Sequence, residues 1–437
     1  MLPSMRQPTN IKPARADSRK VIALVMSLFF SFGFCTVLVD TLIPKLKALF
    51  SLSYTEVMLT QFCFFGAYFI VSLPASRLVS RLGYFESVTL GLGIMAAGCL
   101  SFTPAAQHGS YPAFLAALFV LAAGVTVVQV AVNPLATLVG DPMKAHSRLT
   151  LAQAFNSLAT AVGPLFGAAF ILSGALVTPN AETLSASALA ALRQSEGSVI
   201  QLPFLMIGAV LCLLAIVCWL CRHWAPRTQN SESAGGFKGL LTHSRLVFGA
   251  VAIFLYVGAE VSIGSAMVSY LVQKSVLGVT PKAAGSLVAV YWGLAMAGRF
   301  LGAGLLNRIK PGLMLCVFAI GAATLASVSS LSLGLAAAVT LLAVGFCNSI
   351  MFPTIFSLAI EGLTDEVPQA SGLLCLSIVG GAIIPVMMGA VADFSGLRIA
   401  LWVPVLCYIG IASYGIFCYK RIANPRGEAA PVPAMSI

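Results

Sequence analysis

Twelve apolar runs follow one another along the chain, each close to the roughly 20 residues that a helix needs to cross a membrane. We place them at residues 21–46, 56–80, 86–104, 112–140, 147–174, 201–222, 246–273, 283–306, 311–331, 335–360, 370–392 and 399–420. A soluble fold would have to bury all of them at once. The composition excludes this, because only 9% of the residues are charged, against about 25% in soluble domains. The chain is therefore predicted to be an all-α integral membrane protein with twelve transmembrane helices.

The basic residues predict which side of the membrane each end of the chain occupies. If the N-terminus is cytoplasmic, nineteen of the 25 Lys and Arg residues fall on the inner side, and the other six are Lys45, Lys47, Arg193, Lys274, Lys282 and Arg398. Positive charge concentrates on the cytoplasmic side of membrane proteins. We therefore expect both termini in the cytoplasm of a multi-pass protein of the cell membrane. Juxtamembrane charge also accounts for the net charge of +11, so no nucleic-acid partner is expected.

A Ser- and Gly-rich stretch after the sixth run divides the chain into two sets of six. The predicted segments are a cytoplasmic N-terminal segment 1–20, a six-helix bundle 21–222, a cytoplasmic linker 223–245, a second six-helix bundle 246–420 and a cytoplasmic tail 421–437. The two bundles share landmarks at offsets of 221 to 227 residues, namely Phe29/Phe254, Gly33/Gly258, Arg81/Arg308, Gly124/Gly345 and Pro164/Pro385. Such a repeat describes the major facilitator superfamily fold with 6+6 pseudo-two-fold symmetry, which places a substrate near the bilayer midplane between the halves.

Two carboxylates lie well inside apolar runs. Asp40 falls toward the outer part of the first run and Glu260 near the middle of the seventh. A charge at the bilayer centre costs at least about 2.5–3.5 kcal/mol. No Lys or Arg lies near either acid within its own run, apart from Lys45 and Lys47 at the outer end of the first. We therefore predict that both acids are proton-coupling residues in a water-filled cavity; the alternative is a hydrogen bond to a neighbouring helix.

Amide side chains also lie inside the runs, five of them on the fourth, fifth and tenth. Gln129 and Asn133 are four residues apart on the fourth, and Gln153 and Asn156 are three apart on the fifth, so each pair shares a helix face. Asn348 is on the tenth. Because amides both donate and accept hydrogen bonds, as sugar hydroxyls do, we predict that these five residues bind the substrate. The alternative is that they join helices.

Sequence motifs for other functions are missing. The chain has no GK dipeptide and therefore no phosphate-binding P-loop, and it has neither HExxH nor GxSxG. Cys218 and Cys221 have CxxC spacing but no second pair and no histidine cluster. We therefore expect no enzyme activity, no metal site and no cofactor beyond a co-transported ion.

Several segments resemble the fucose–galactose–glucose–proton symporter family of the major facilitator superfamily. They include AQAFNS, YVGAEVSIGS, QVAVNPLATLVG and CNSIMFPTIFSLAIEGL. The resemblance implies import of a monosaccharide with a cation, usually H⁺. It also implies that Asp40 matches the family's proton-coupling acid and that Asn156 matches a sugar-contact position. Gln129 stands where fucose-type members carry glutamate, which favours glucose or galactose.

The sequence thus predicts a cation-coupled importer of glucose or galactose that works by alternating access. The cation is expected to be H⁺, with Na⁺ as the other candidate, and the transporter is expected to be a monomer in the lipid bilayer. Two alternatives stay open. One is an L-fucose:H⁺ symporter, and the other is a proton-antiport exporter of sugars or drugs.

Overall fold

The computed structural model describes residues 18–50, 54–108, 110–170, 186–224, 239–363 and 365–423. Within these ranges the side chains at 38–50, 54–59, 106–108, 164–165, 167–170, 186–200 and 421–423 are not described. The described residues form helices α1 (Ser18–Phe50), α2 (Tyr54–Leu82), α3 (Tyr84–His108), α4 (Tyr111–Leu138), α5 (Ala145–Phe170), α6 (Ala186–Leu220), α7 (Ser244–Leu271), α8 (Pro281–Leu305), α9 (Pro311–Leu331), α10 (Gly334–Asn348), α11 (Met351–Ile360), α12 (Val367–Leu376), α13 (Gly380–Ser395), α14 (Leu397–Ala400) and α15 (Trp402–Ala423).

These helices make up the predicted twelve spans. Eleven segments of the described chain are long and apolar enough to cross a membrane; α10 and α11 count as one of them (Gly334–Ile360), α12 and α13 as another (Val367–Ser395), and α14 with α15 as a third (Leu397–Lys420). The 26-residue helix α5 takes the fifth place, which completes the set. Helices suit this setting because lipid offers no hydrogen bonds, so each backbone group must find its partner inside the protein. The predicted all-α membrane fold is confirmed.

The two halves, α1–α6 and α7–α15, repeat one arrangement. In the first, α1 packs on α5 and α3 packs on α6; in the second, α7 packs on α13 and α9 packs on α15. Gly33 and Gly258 lie in the two equivalent contacts. A methyl group at Gly33 would collide with Asn156 on α5, and one at Gly258 would collide with Ile384 on α13. Both glycines therefore permit the same close approach of a first helix to the fifth span of its half.

Several described contacts between the halves lie toward one end of the bundle, which we call the linker end because α6 ends and α7 begins there. Helix α2 packs on α12, α5 packs on α8 and α11, and α4 packs on α12. At the start of α5, His146 Nδ1 lies 2.6 Å from Ser357 Oγ, and Ser147 Oγ donates to the Ala303 carbonyl at 2.6 Å. These bonds join the halves at the linker end.

Pro134 explains one further contact between the halves. A proline inside a helix has no N–H for the carbonyl four residues earlier, which is that of Val130. Ser371 on α12 donates its hydroxyl to this carbonyl at 2.7 Å. A helix of the other half therefore satisfies the backbone group that this proline frees.

Candidate functional site

Glu260 on α7 is paired with Arg299 on α8. Arg299 Nη2 lies 3.8 Å from Glu260 Oε1, and the two side chains are only 12% and 13% exposed. This cation comes from the span next to the one that holds Glu260, so a search of the seventh run alone could not find it. The distribution of basic residues predicts Arg299 at an inner span end. The structure instead directs its guanidinium into the bundle.

The backbone around Arg299 explains how the guanidinium is held. Gly298 and Gly302 let the residues between α10 and α11 approach α8, because a methyl group at either glycine would collide with Ser349 or Ile350. Pro353 has no N–H for the Ser349 carbonyl, four residues earlier. Arg299 Nε donates to that carbonyl at 3.1 Å.

Arg299 also reaches the other half of the protein. Its Nη1 donates to Ser157 Oγ on α5. Gln153 lies one turn before Ser157 on the same helix face, and it is 7% exposed. The predicted substrate residue Gln153 is therefore on the face of α5 that meets the C-terminal half, next to the Glu260–Arg299 pair.

Asn348 lies in a buried polar cluster within the C-terminal half. Its Nδ2 donates to Tyr291 Oη at 2.8 Å, whereas its Oδ1 is buried with no hydrogen-bond partner. Tyr256 and Tyr408 are buried in the same cluster, and electrostatic interactions link both tyrosines to Glu260. The cluster thus presents a buried amide oxygen, that of Asn348, without a described hydrogen-bond partner.

Gln129 and Asn133 lie on α4 where it meets the other half. Asn133 is fully buried, and its Nδ2 is 4.0 Å from Cys375 Sγ on α12. Asn133 Oδ1 and Gln129 Oε1 are buried acceptors without a hydrogen-bond partner. The predicted polar face of α4 is therefore turned toward the interface between the halves.

Asn156 has a different position from Gln153. Its Nδ2 donates to the Phe29 carbonyl at 3.1 Å, and its side chain packs against Gly33, so its amide nitrogen joins α5 to α1. The prediction that Asn156 binds substrate stays untested. Asp40 lies on α1, but its side chain falls outside those that the structure describes.

Neither Arg299 nor the buried tyrosines of the site were predicted from the sequence. One signal was available for Arg299, since it lies a turn and a half before the end of α8, deeper than the other basic residues of that end. Chemically, the site offers amide oxygens that accept hydrogen bonds, tyrosine hydroxyls that donate or accept them, and one ion pair. Within the described chain, no three His, Cys, Asp or Glu side chains group as a metal site.

Comparison with known proteins agrees with this architecture. Residues 24–376 match the Major Facilitator Superfamily family model. The chain is 47% identical over 397 residues to a "Glucose/galactose transporter" of Brucella abortus, covering 90% of this chain and 92% of that protein. It is 32% identical over 417 residues to the "L-fucose-proton symporter" of Escherichia coli, covering 92% and 94%.

A solved structure shows the same fold. The crystal structure of a major facilitator transporter, FucP, in the outward conformation matches with a TM-score of 0.84 at 31% identity, covering 92% of this chain and 99% of that one. The chain therefore belongs to the major facilitator superfamily, in the branch that includes the glucose/galactose transporter and the L-fucose-proton symporter.

Proposed function

We propose that this protein imports glucose or galactose together with H⁺ by alternating access, as a monomer in the cell membrane with both termini in the cytoplasm. It is a transport protein, with no enzymatic step in the proposal. The proposed substrate residues are Gln129, Asn133, Gln153, Asn156 and Asn348.

The observation that carries the proposal is a set of unbonded amide oxygens. Gln129 Oε1, Asn133 Oδ1 and Asn348 Oδ1 are buried and lack a hydrogen-bond partner. A buried acceptor without a partner costs about 1–3 kcal/mol, so it calls for a donor that arrives with water or with a ligand. The hydroxyls of a monosaccharide are such donors.

The choice of sugar rests on the relatives and on Gln129. The Brucella abortus protein named for glucose and galactose is 47% identical, whereas the Escherichia coli protein named for L-fucose is 32% identical. Gln129 is a neutral amide where the resemblance leads us to expect glutamate in a fucose transporter. L-Fucose:H⁺ symport is the second candidate, supported by the printed name of the more distant relative.

The proposed cycle begins from the conformation described above. With the linker end on the cytoplasmic side, the contacts between the halves close the inner entrance. Asp40 takes up a proton, which lowers the cost of burying its carboxylate. Sugar then bridges the amides of both halves and favours their rocking. Glu260 faces Arg299, so the proposal gives proton coupling to Asp40 and a different role to Glu260.

Counterflow in proteoliposomes tests the substrate. Vesicles loaded with unlabelled D-glucose, D-galactose or L-fucose should accumulate the matching labelled sugar, with D-glucose or D-galactose fastest. Gln129→Ala should slow counterflow at least about tenfold, whereas Asn307→Ala, whose amide bonds only its own helix, should leave it unchanged. Equal, protein-independent uptake of all three sugars would refute the proposal.

Coupling has a separate test. Asp40→Asn should abolish pH-driven accumulation while counterflow persists, because counterflow needs no proton gradient. Asp393→Asn, at an exposed carboxylate on α13, is the matched control and should accumulate sugar normally. Accumulation by Asp40→Asn with the wild-type pH dependence would remove Asp40 from the mechanism, and sodium is varied in parallel to separate the two cations.

A further inference from the structure

Among the groups named above that join the halves, Arg299 differs because it carries a permanent charge and has three bonding partners. Two of its partners belong to its own half, Glu260 and the Ser349 carbonyl. The third, Ser157, belongs to the other half. The contacts at His146, Ser147 and Ser371 are single bonds of uncharged or titratable groups.

We propose that the Arg299–Ser157 bond is a latch that holds the linker end closed, and that Glu260 is a positioning residue for Arg299 and carries no proton in the cycle. The inference rests on the proposed alternating access, because a latch has meaning only if the linker end opens. It gives roles to Arg299, Ser157 and Glu260 and separates the role of Glu260 from that of Asp40.

The geometry explains why this bond can act as a latch. The contacts of Arg299 with Glu260 and Ser349 lie within one half, so they persist when the halves separate. Only the bond to Ser157 crosses the interface, and separation must break it. A hydrogen bond with a charged donor is roughly twice as strong as one between neutral groups. Loss of the Arg299–Ser157 bond therefore shifts the equilibrium between the closed and the open conformation more than loss of a neutral contact does.

The position of Ser157 links the latch to the substrate site. Ser157 follows Asn156 directly and lies one turn beyond Gln153. Movement of α5 that breaks the latch therefore also moves Gln153 relative to the C-terminal half. The bond between Arg299 and Ser157 therefore breaks in the same movement that shifts the substrate-binding amide of Gln153.

Cys375 provides a native reporter of the linker end. It is fully buried on α12 and faces Asn133 on α4 across the interface. Its thiol becomes reachable only when these helices part. The rate of its alkylation by a polar maleimide, followed peptide by peptide by mass spectrometry to separate it from the other cysteines, measures the open fraction when opening is fast relative to labelling.

The test compares variants of the full chain in detergent without sugar. Ser157→Ala should speed alkylation of Cys375 about tenfold, the effect of losing one charge-assisted bond. Ser262→Ala is the matched control, because that buried hydroxyl donates to the Gly258 carbonyl of its own helix. It should label at the wild-type rate. Arg299→Lys should fall between the two, since an ammonium cannot reproduce the planar fork of a guanidinium.

Glu260→Gln separates positioning from proton transfer. As a positioning residue, its loss should speed alkylation of Cys375 several-fold while sugar accumulation keeps the wild-type pH dependence. A pH dependence that disappears, with alkylation unchanged, would overturn the role given to Glu260. Wild-type alkylation rates in both Ser157→Ala and Arg299→Lys would overturn the latch. Because the rates are measured without sugar, faster labelling in a protein that transports none of the three sugars would support the latch and refute the proposed function.

Discussion

Pro134 in the fourth span and Pro353 in the tenth occupy similar places in the two halves, yet their consequences differ. Each proline frees the carbonyl four residues earlier. In the N-terminal half that carbonyl, on Val130, accepts a hydroxyl from the other half. In the C-terminal half the freed carbonyl, on Ser349, accepts the guanidinium of Arg299 from the same half. The carbonyl that Pro134 frees bonds to the other half, whereas the carbonyl that Pro353 frees orients the guanidinium of Arg299.

The difference shows how one repeated backbone feature can serve two purposes. The bond at Val130 is between neutral groups and lies on the interface itself. The bond at Ser349 is charge-assisted and lies within the C-terminal half. It orients the guanidinium of Arg299, which crosses the interface to Ser157. The side chain that arrives at each carbonyl therefore decides its role.

Removing the charged group that bonds the Ser349 carbonyl should have the largest effect on stability. Arg299→Ala leaves Glu260 buried without its partner, which should lower the free energy of unfolding by about 3–5 kcal/mol. Thermal unfolding in detergent measures the loss. Arg398→Ala is the control, since the Arg398 guanidinium donates to the Ser330 carbonyl and its described bonds include no buried carboxylate.

A double variant tests whether the lost stability comes from the unpaired charge of Glu260. Arg299→Met combined with Glu260→Gln removes both charges and should recover most of the lost stability, because a neutral pair leaves no uncompensated charge. If the double variant is as unstable as Arg299→Ala, the shape of the arginine matters and its pairing with Glu260 does not.

Removing the neutral hydroxyl that bonds the Val130 carbonyl should have a moderate effect on stability. Ser371→Ala leaves the Val130 carbonyl without a protein partner, at a cost of about 1–2 kcal/mol. Hydrogen exchange should then accelerate in α12 and in the last turns of α4. Ser377→Ala, whose hydroxyl bonds the Leu373 carbonyl of its own helix turn, should leave exchange in α4 unchanged. Equal exchange in the two variants would mean that Ser371 does not hold the halves together.

Restoring the missing helix bond should have the smallest effect. Pro134→Ala supplies an N–H that can bond the Val130 carbonyl, and an oxygen with two lone pairs can accept from this N–H and from Ser371 together. Ser371→Ala should therefore cost less in the Pro134→Ala background, by about 0.5–1 kcal/mol in a double-mutant cycle. Additive costs would show that the proline and the serine act independently.

The spans and the polar faces could be predicted from the sequence because they depend on local patterns. Length and apolarity located the twelve helices, and a spacing of four placed Gln129 and Asn133 on one face. That face does meet the other half, as the contact of Asn133 with Cys375 shows. Helical periodicity carries this kind of information.

The partner of Glu260 could not be predicted in the same way. Whether Arg299 reaches Glu260 depends on how far α8 is shifted along α7 and on how closely α10 and α11 pack at Gly298 and Gly302. Sequence spacing within one helix contains neither quantity. The same limit applies to Asn156, whose residue type suited a sugar but whose amide nitrogen bonds α1.

The carbonyl that Pro134 frees also restricts how the halves can come apart. When α12 withdraws, the Val130 oxygen loses the Ser371 hydroxyl and no helix N–H can replace it. In the protein without sugar, water must supply the missing donor at that depth. The interface therefore cannot separate as two dry surfaces: hydration of α4 must accompany opening, and the wetting of one carbonyl becomes a step of the conformational change.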